Sequence, residues 1–137
     1  MTFIGTLFVT MVITVYVPMA GGINGSGMIT RSGEIPQTGI AGCGYQFPFG
    51  TVFEVVDEDM DQYGLPQAVV CEDRGGFSSY NHLDVALVSS DVSGDLHRAF
   101  AWGRRIRRVK VYASMNDYQS YLKAKARYYA FWRRLER

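Results

Sequence analysis

Between Cys71 and Asp84 the chain reads CEDRGGFSSYNHLD, a stretch that gathers groups able to do acid–base chemistry. Asp73 and Asp84 flank Gly75, Gly76 and His82. Two neighbouring carboxyl groups can be driven apart in pKa, so that one keeps its proton as a donor while the other stays charged. Glycines beside an acid let a bulky substrate approach the backbone. The same spacing also suits ordinary turn aspartates bonded to nearby backbone amides. His82 reads as an exposed loop residue rather than a ligand. A zinc site built from Cys43, Cys71, His82 and an aspartate is chemically allowed, but the spacing supports it poorly. No metal or cofactor is expected.

These residues need elements to hold them. The amino terminus, MTFIGTLFVTMVITVYVP, is apolar but lacks a basic leading region, and threonines and a glycine interrupt it. Its β-branched richness predicts one or two strands, with a signal peptide or membrane anchor as the lesser alternative. Residues 19–51 are dense in Gly, Ser, Thr and Pro, which is loop chemistry. Strands are predicted in GTVFEVVDE, QAVVCE, LDVALV and RRIRRVKVYAS. A short capped helix is predicted over 92–102, stopped by Gly103. From Ser114 onward, Ser114 and Asp117 stand at capping-box spacing. Tyr118, Leu122, Tyr129 and Trp132 then recur at roughly helical intervals. Six short strands with Gly-rich crossings suggest a small closed barrel.

A chain of 137 residues is one domain. Its net charge of +1 hides an asymmetry: residues 1–103 carry 3 basic and 11 acidic side chains, residues 104–137 carry 11 and 2. An acidic body thus joins a basic tail. The run DEDMD reads as a solvated hairpin tip and lacks the ligand spacing of a calcium loop. GRRIRR reads as a basic outer strand face whose cations alternate with the core-facing Ile106, Val109 and Val111. Neither nucleic acid nor a membrane span is expected as a partner. The two cysteines, Cys43 and Cys71, make no CxxC and no disulfide framework, and they read as two small buried hydrophobes.

Five motifs in order carry a resemblance. VITVYVP stands as an aromatic-ended first strand; Pro48, Gly50 and Thr51 form a Pro-x-Gly-Thr turn; Asp73, Gly75 and Gly76 form Asp-x-Gly-Gly; Asp84 follows eleven residues after Asp73; Gly103 and Arg104 precede Val-x-Val. Over about residues 10–112 the chain resembles the 3D (three-aspartate) domain. This is a double-psi β-barrel family found in membrane-bound lytic transglycosylase A and related muralytic proteins. The rare lipoprotein A and expansin-like barrels are near relatives with a similar Asp-Arg-Gly and a following Asp.

The resemblance implies a mainly β fold: a six-stranded double-psi β-barrel over residues 1–112 with a short internal helix, then a C-terminal basic aromatic helix over 113–137. It implies peptidoglycan glycan strands as substrate, cleaved to a 1,6-anhydro product. Asp84 would be the acid/base and Asp73 its electrostatic partner, with Gly75, Gly76 and Tyr16 lining the substrate cleft. Such cleavage needs a carboxylic acid to protonate the leaving oxygen. Because the sugar's own 6-hydroxyl attacks, one residue can serve as acid and then as base.

One position departs from the family pattern: Cys43 stands where the first of the three aspartates belongs. It is expected beside Asp73, where a thiol would raise a neighbouring pKa less than a carboxylate. This departure, the absence of a clear export signal and the aromatic tail support a rival reading, a non-catalytic structural or interaction barrel in a phage virion or cell-envelope complex. In either case residues 114–137 are expected to dock on a protein partner, and the place of action is the cell wall or a virion. The two readings merge in a phage tail protein that carries a wall-cleaving barrel.

Overall fold

The computed structural model describes residues 7–21, 32–33, 37–75 and 81–135. Six strands, β1 (Leu7–Tyr16), β2 (Ile40–Cys43), β3 (Val52–Val55), β4 (Ala68–Arg74), β5 (His82–Ala86) and β6 (Arg105–Tyr112), close into a barrel in the order β1-β5-β2-β4-β3-β6. The pairing is mixed. β1 runs parallel to β5 and β2 parallel to β4, while the other neighbours are antiparallel. This mainly β architecture is compatible with a double-psi barrel. The apolar start of the chain supplies the longest strand, β1, which pairs with both β5 and β6. Among the described residues no helix is long and apolar enough to cross a membrane.

Alternation decides what faces the core. Along β1, Met11 and Ile13 are buried while Thr14 and Tyr16 stand on the outer face. Along β5, Leu83 and Val85 point inward between His82, Asp84 and Ala86. Phe53, Val55, Val69 and Val109 complete the interior, and Met60, Leu65, Leu87 and Trp102 close it. Each such apolar side chain contributes about 1.5–3 kcal/mol on burial.

Helix α1 (Val92–Trp102) forms where predicted. The Asp91 carboxylate accepts from the Gly94 N–H at 2.9 Å, and the Gly103 N–H closes the last turn on the Ala99 carbonyl. Gly103 sits at φ +67°, a conformation that favours glycine. The helix delivers Trp102 into the core, where its indole N–H donates to the Ile13 carbonyl at 2.9 Å.

Three expectations are corrected. Cys43 and Cys71 are buried, as expected of small apolar residues, but they are joined in a disulfide with their Cα atoms 5.7 Å apart. Both lie on the inner face of the adjacent strands β2 and β4. A cross-link across 28 residues restricts the unfolded chain enough to contribute about 3–4 kcal/mol. The acidic run is not simply a solvated tip: Met60 is fully buried, and Asp59 accepts from Arg107 at 2.6 Å and Arg105 at 3.4 Å. In β6 the expected facing is shifted. Ile106 is 64% exposed, whereas Arg105 and Arg107 are half-buried over Trp102, since Asp59 and the indole face together receive them.

The long helix α2 (Met115–Leu135) starts on Ser114, whose hydroxyl accepts from the Asp117 N–H. Its first two turns rest on the barrel. The Tyr118 hydroxyl donates to Glu54, Tyr118 and Tyr121 pack on Tyr112, and the Lys110 ammonium donates to Tyr121 at 3.0 Å. Farther along, Phe131 and Leu135 are exposed. The side chains of Tyr129 and Trp132, part of the predicted aromatic stripe, lie outside the described residues.

Candidate active site on the outer face of the barrel

Gly42 is the centre of the site. It faces Asp84 across the antiparallel β2–β5 pair and Asp73 across the parallel β2–β4 pair. Both carboxylates therefore flank a residue with no side chain. Two strand spacings separate their backbones by about 9–10 Å. Asp73 reaches this position through an irregularity. The β2–β4 register shifts between Ala41 and Gly42, so that Gly42 meets Asp73 rather than Glu72. Without the shift, Asp73 would lie opposite Cys43 on the core-facing side. A bulge thus turns the carboxylate to the outer face, a common device beside functional sites.

Asp84 is held by neutral partners. The Thr14 hydroxyl donates to its Oδ1 at 2.9 Å, and Thr14 lies directly beside it in the β1–β5 register. The same hydroxyl is 2.7 Å from His82 Nε2. With its one proton given to Asp84, the Thr14 oxygen accepts from an Nε2–H of His82. The three side chains therefore form a His82–Thr14–Asp84 chain along one face. Burial pushes the Asp84 carboxyl above the usual range; the Thr14 hydrogen bond opposes this, and the charge of Asp73 adds to it. Burial also lowers the His82 imidazole below its ordinary value, and Arg104 lowers it further.

Tyr16 joins the group from the end of β1, two residues beyond Thr14 on the same face. Its hydroxyl is buried and makes no hydrogen bond within the described structure. Burial first, then the charges of Asp73 and Asp84, suppress its ionisation. A neutral phenol thus stands close to both carboxyl groups.

On the far side of Asp73, the Arg74 N–H donates to Asp73 Oδ1 at 2.8 Å. The Arg74 guanidinium turns back over the disulfide, with Nη1 donating to the Gly44 carbonyl at 2.8 Å and the Phe47 carbonyl at 2.6 Å and lying 3.2 Å from Cys43 Sγ. The Pro-x-Gly-Thr turn supports this end. Thr51 Oγ1 donates to the Pro48 carbonyl, Gly50 takes φ +92°, and the Gly50 N–H donates to the Cys71 carbonyl.

Of the residues expected in the site, Asp84, Asp73 and Tyr16 come together, and Gly75 follows β4 directly after Arg74. Gly76 lies outside the described residues. Two expectations fail. His82 is not an exposed loop residue but a strand residue only 7% exposed, bonded into the Asp84 group. Cys43 does not tune Asp73 as a thiol, because its sulfur is bonded to Cys71 within the core. Thr14, Gly42 and Arg74 were missed. A period-two reading would have found Thr14 with Tyr16, and His82 with Asp84, on common faces. Among the described residues no cluster of three or more His, Cys, Asp or Glu side chains could hold a metal ion.

No family model, curated protein or solved structure matches this chain.

Proposed function

We propose that the chain is a peptidoglycan-directed, lytic transglycosylase-like domain of the 3D-domain, double-psi type. The observation that carries this reading is the placement of Asp84 and Asp73 on either side of Gly42, with Asp84 held toward its protonated form by burial, next to a second carboxylate. A carboxyl group whose burial favours the protonated form, facing a residue without a side chain, suits general acid catalysis. Asp84 gives its proton to the glycosidic oxygen as the C1–O bond breaks. The 6-hydroxyl of the same sugar attacks C1, and the Asp84 carboxylate takes up the hydroxyl proton. The charge of Asp73 stabilises the cationic sugar between these events.

The disulfide fits an oxidising compartment, so the reading places the domain at the cell wall, reached by export or carried there on a phage tail. Digestion of purified sacculi tests it. The chain is expected to release 1,6-anhydro muropeptides and Asp84→Asn to release none. Absence of such products from the wild-type chain overturns the enzymatic reading.

A second reading, a non-catalytic barrel in a virion or envelope assembly, is favoured by α2. This helix meets the barrel through Tyr118 and Tyr121 and then exposes Phe131 and Leu135 among Lys123, Lys125, Arg127, Arg133 and Arg134. A helix of this length is marginal alone, and a protein partner along 122–135 would stabilise it. Truncation after Tyr112 that leaves a folded barrel but abolishes assembly supports this partner. Melting of the truncated barrel refutes it.

A further inference from the structure

At the end of β2 and β4, where Arg74 turns away from Asp73 toward the disulfide, stands a small platform of different chemistry. Tyr45 is 79% exposed and Phe49 39% exposed. The Arg74 guanidinium lies 4.1 Å from the Phe49 ring centroid and 5.2 Å from that of Tyr45. This cation is not loose: the Gly44 and Phe47 carbonyls and the disulfide sulfurs fix it. Single exposed aromatics are ordinary on protein surfaces. Here two are held together by one anchored cation, in the loop that directly follows β2 and beside the residue that follows Asp73. An aromatic face fixed before a ligand arrives loses little freedom on binding.

We propose that Tyr45, Phe49 and Arg74 form a subsite that stacks a pyranose ring of a glycan strand, at the end of β2 and β4, the strands that carry Gly42 and Asp73. The proposal rests on the glycan-cleaving reading above and deepens it, assigning the surface that fixes where along the strand cleavage occurs. The axial C–H groups of a pyranose offer an apolar face to Tyr45 and Phe49, and its hydroxyls and acidic substituents reach Arg74. The other polymer that stacks on aromatics and arginine is single-stranded nucleic acid. Asp73 and Asp84 oppose it, because a phosphate backbone crossing the platform toward Gly42 would run onto two carboxylates.

The test is a titration of the full chain, carrying Asp84→Asn to prevent turnover, with soluble uncrosslinked peptidoglycan strands and, separately, with single-stranded DNA. Tyr45→Ala is expected to weaken glycan binding roughly three- to ten-fold, Phe49→Ala by a similar factor, and Tyr45→Trp to restore it. Thermal unfolding of Tyr45→Ala should match that of the parent, since the ring is mostly exposed. Glycan binding that is unchanged in both alanine variants overturns the platform and leaves the glycan reading standing. No glycan binding by the parent chain overturns both. Loss of DNA binding rather than glycan binding in Tyr45→Ala assigns the platform to nucleic acid and refutes the proposal.

Discussion

Two carboxylate clusters on this barrel are built on opposite principles. Around Asp59 the partners are cations. Arg107 donates at 2.6 Å and Arg105 approaches to 3.4 Å, so the Arg107 hydrogen bond holds the Asp59 carboxyl below its ordinary range against the opposing effect of burial. Around Asp84 the partners are the neutral Thr14 hydroxyl and the like-charged Asp73, and burial prevails, so the carboxyl is held above its ordinary range. Asp95 follows the first pattern. Burial works against its charge, but the bonds from Arg98 and Ser89 win and the pKa falls. A carboxylate paired with arginine is committed to holding loops and strands together. One buried without a cation beside it is pushed toward its protonated form, the form that can give a proton away. The molecule separates the two uses, with the Asp59 and Asp95 clusters at the loops around α1 and Asp84 on the outer face at Gly42.

The largest expected effect separates the clusters by activity. Asp84→Asn should lower release of 1,6-anhydro products from sacculi at least ~100-fold, whereas Asp59→Asn should leave it within about two-fold. Equal losses would erase the distinction. Stability should show the reverse. Asp95→Ala removes a buried carboxylate that accepts from the Ser89 N–H at 2.9 Å and pairs with Arg98. Chemical denaturation is expected to show a loss of about 2–3 kcal/mol. Asp59→Ala removes a charge-assisted bond that is partly open to solvent, and a loss of about 1–2 kcal/mol is expected by the same method.

The smallest effect has a diagnostic sign. A carboxyl whose folded pKa is raised binds its proton more tightly in the folded state. Its contribution is therefore fully present below the unfolded value and lost as pH rises through the folded value. Asp84→Asn should unfold at a slightly higher temperature than wild type near neutral pH, with the difference vanishing in acid. Asp59 has the opposite sign, and its contribution is present above the unfolded value and lost as pH falls through the lowered one. A melting-temperature series over pH on the two variants distinguishes them.

Much of this arrangement is visible in the residues themselves. β-branched runs and turn glycines suffice for six strands, the 92–102 helix and the terminal helix, because local alternation and capping decide those elements. Asp73 and Asp84 stand out by their place beside Gly75 and Gly76. What stays hidden is register. The bulge that turns Asp73 to the outer face, the meeting of both acids at Gly42, and the pairing of Cys43 with Cys71 depend on which strands become neighbours over separations of 28 residues and more. His82 misleads for a related reason: it follows a polar loop, but strand β5 begins on it. Arg105 and Arg107 turn toward Trp102 only because α1 brings that ring beneath them.

The protonation of Asp84 itself is the most direct test. Carbon-13 NMR of the side-chain carboxyl groups, followed through a pH titration, reads it without substrate. Asp84 is expected to titrate above the ordinary aspartate value, to move down toward it in Asp73→Asn, and to move up in Thr14→Val, where the hydrogen bond that favours the charged form is gone. An Asp84 that titrates at or below the ordinary value, and ignores the loss of Asp73, would contradict its role as proton donor.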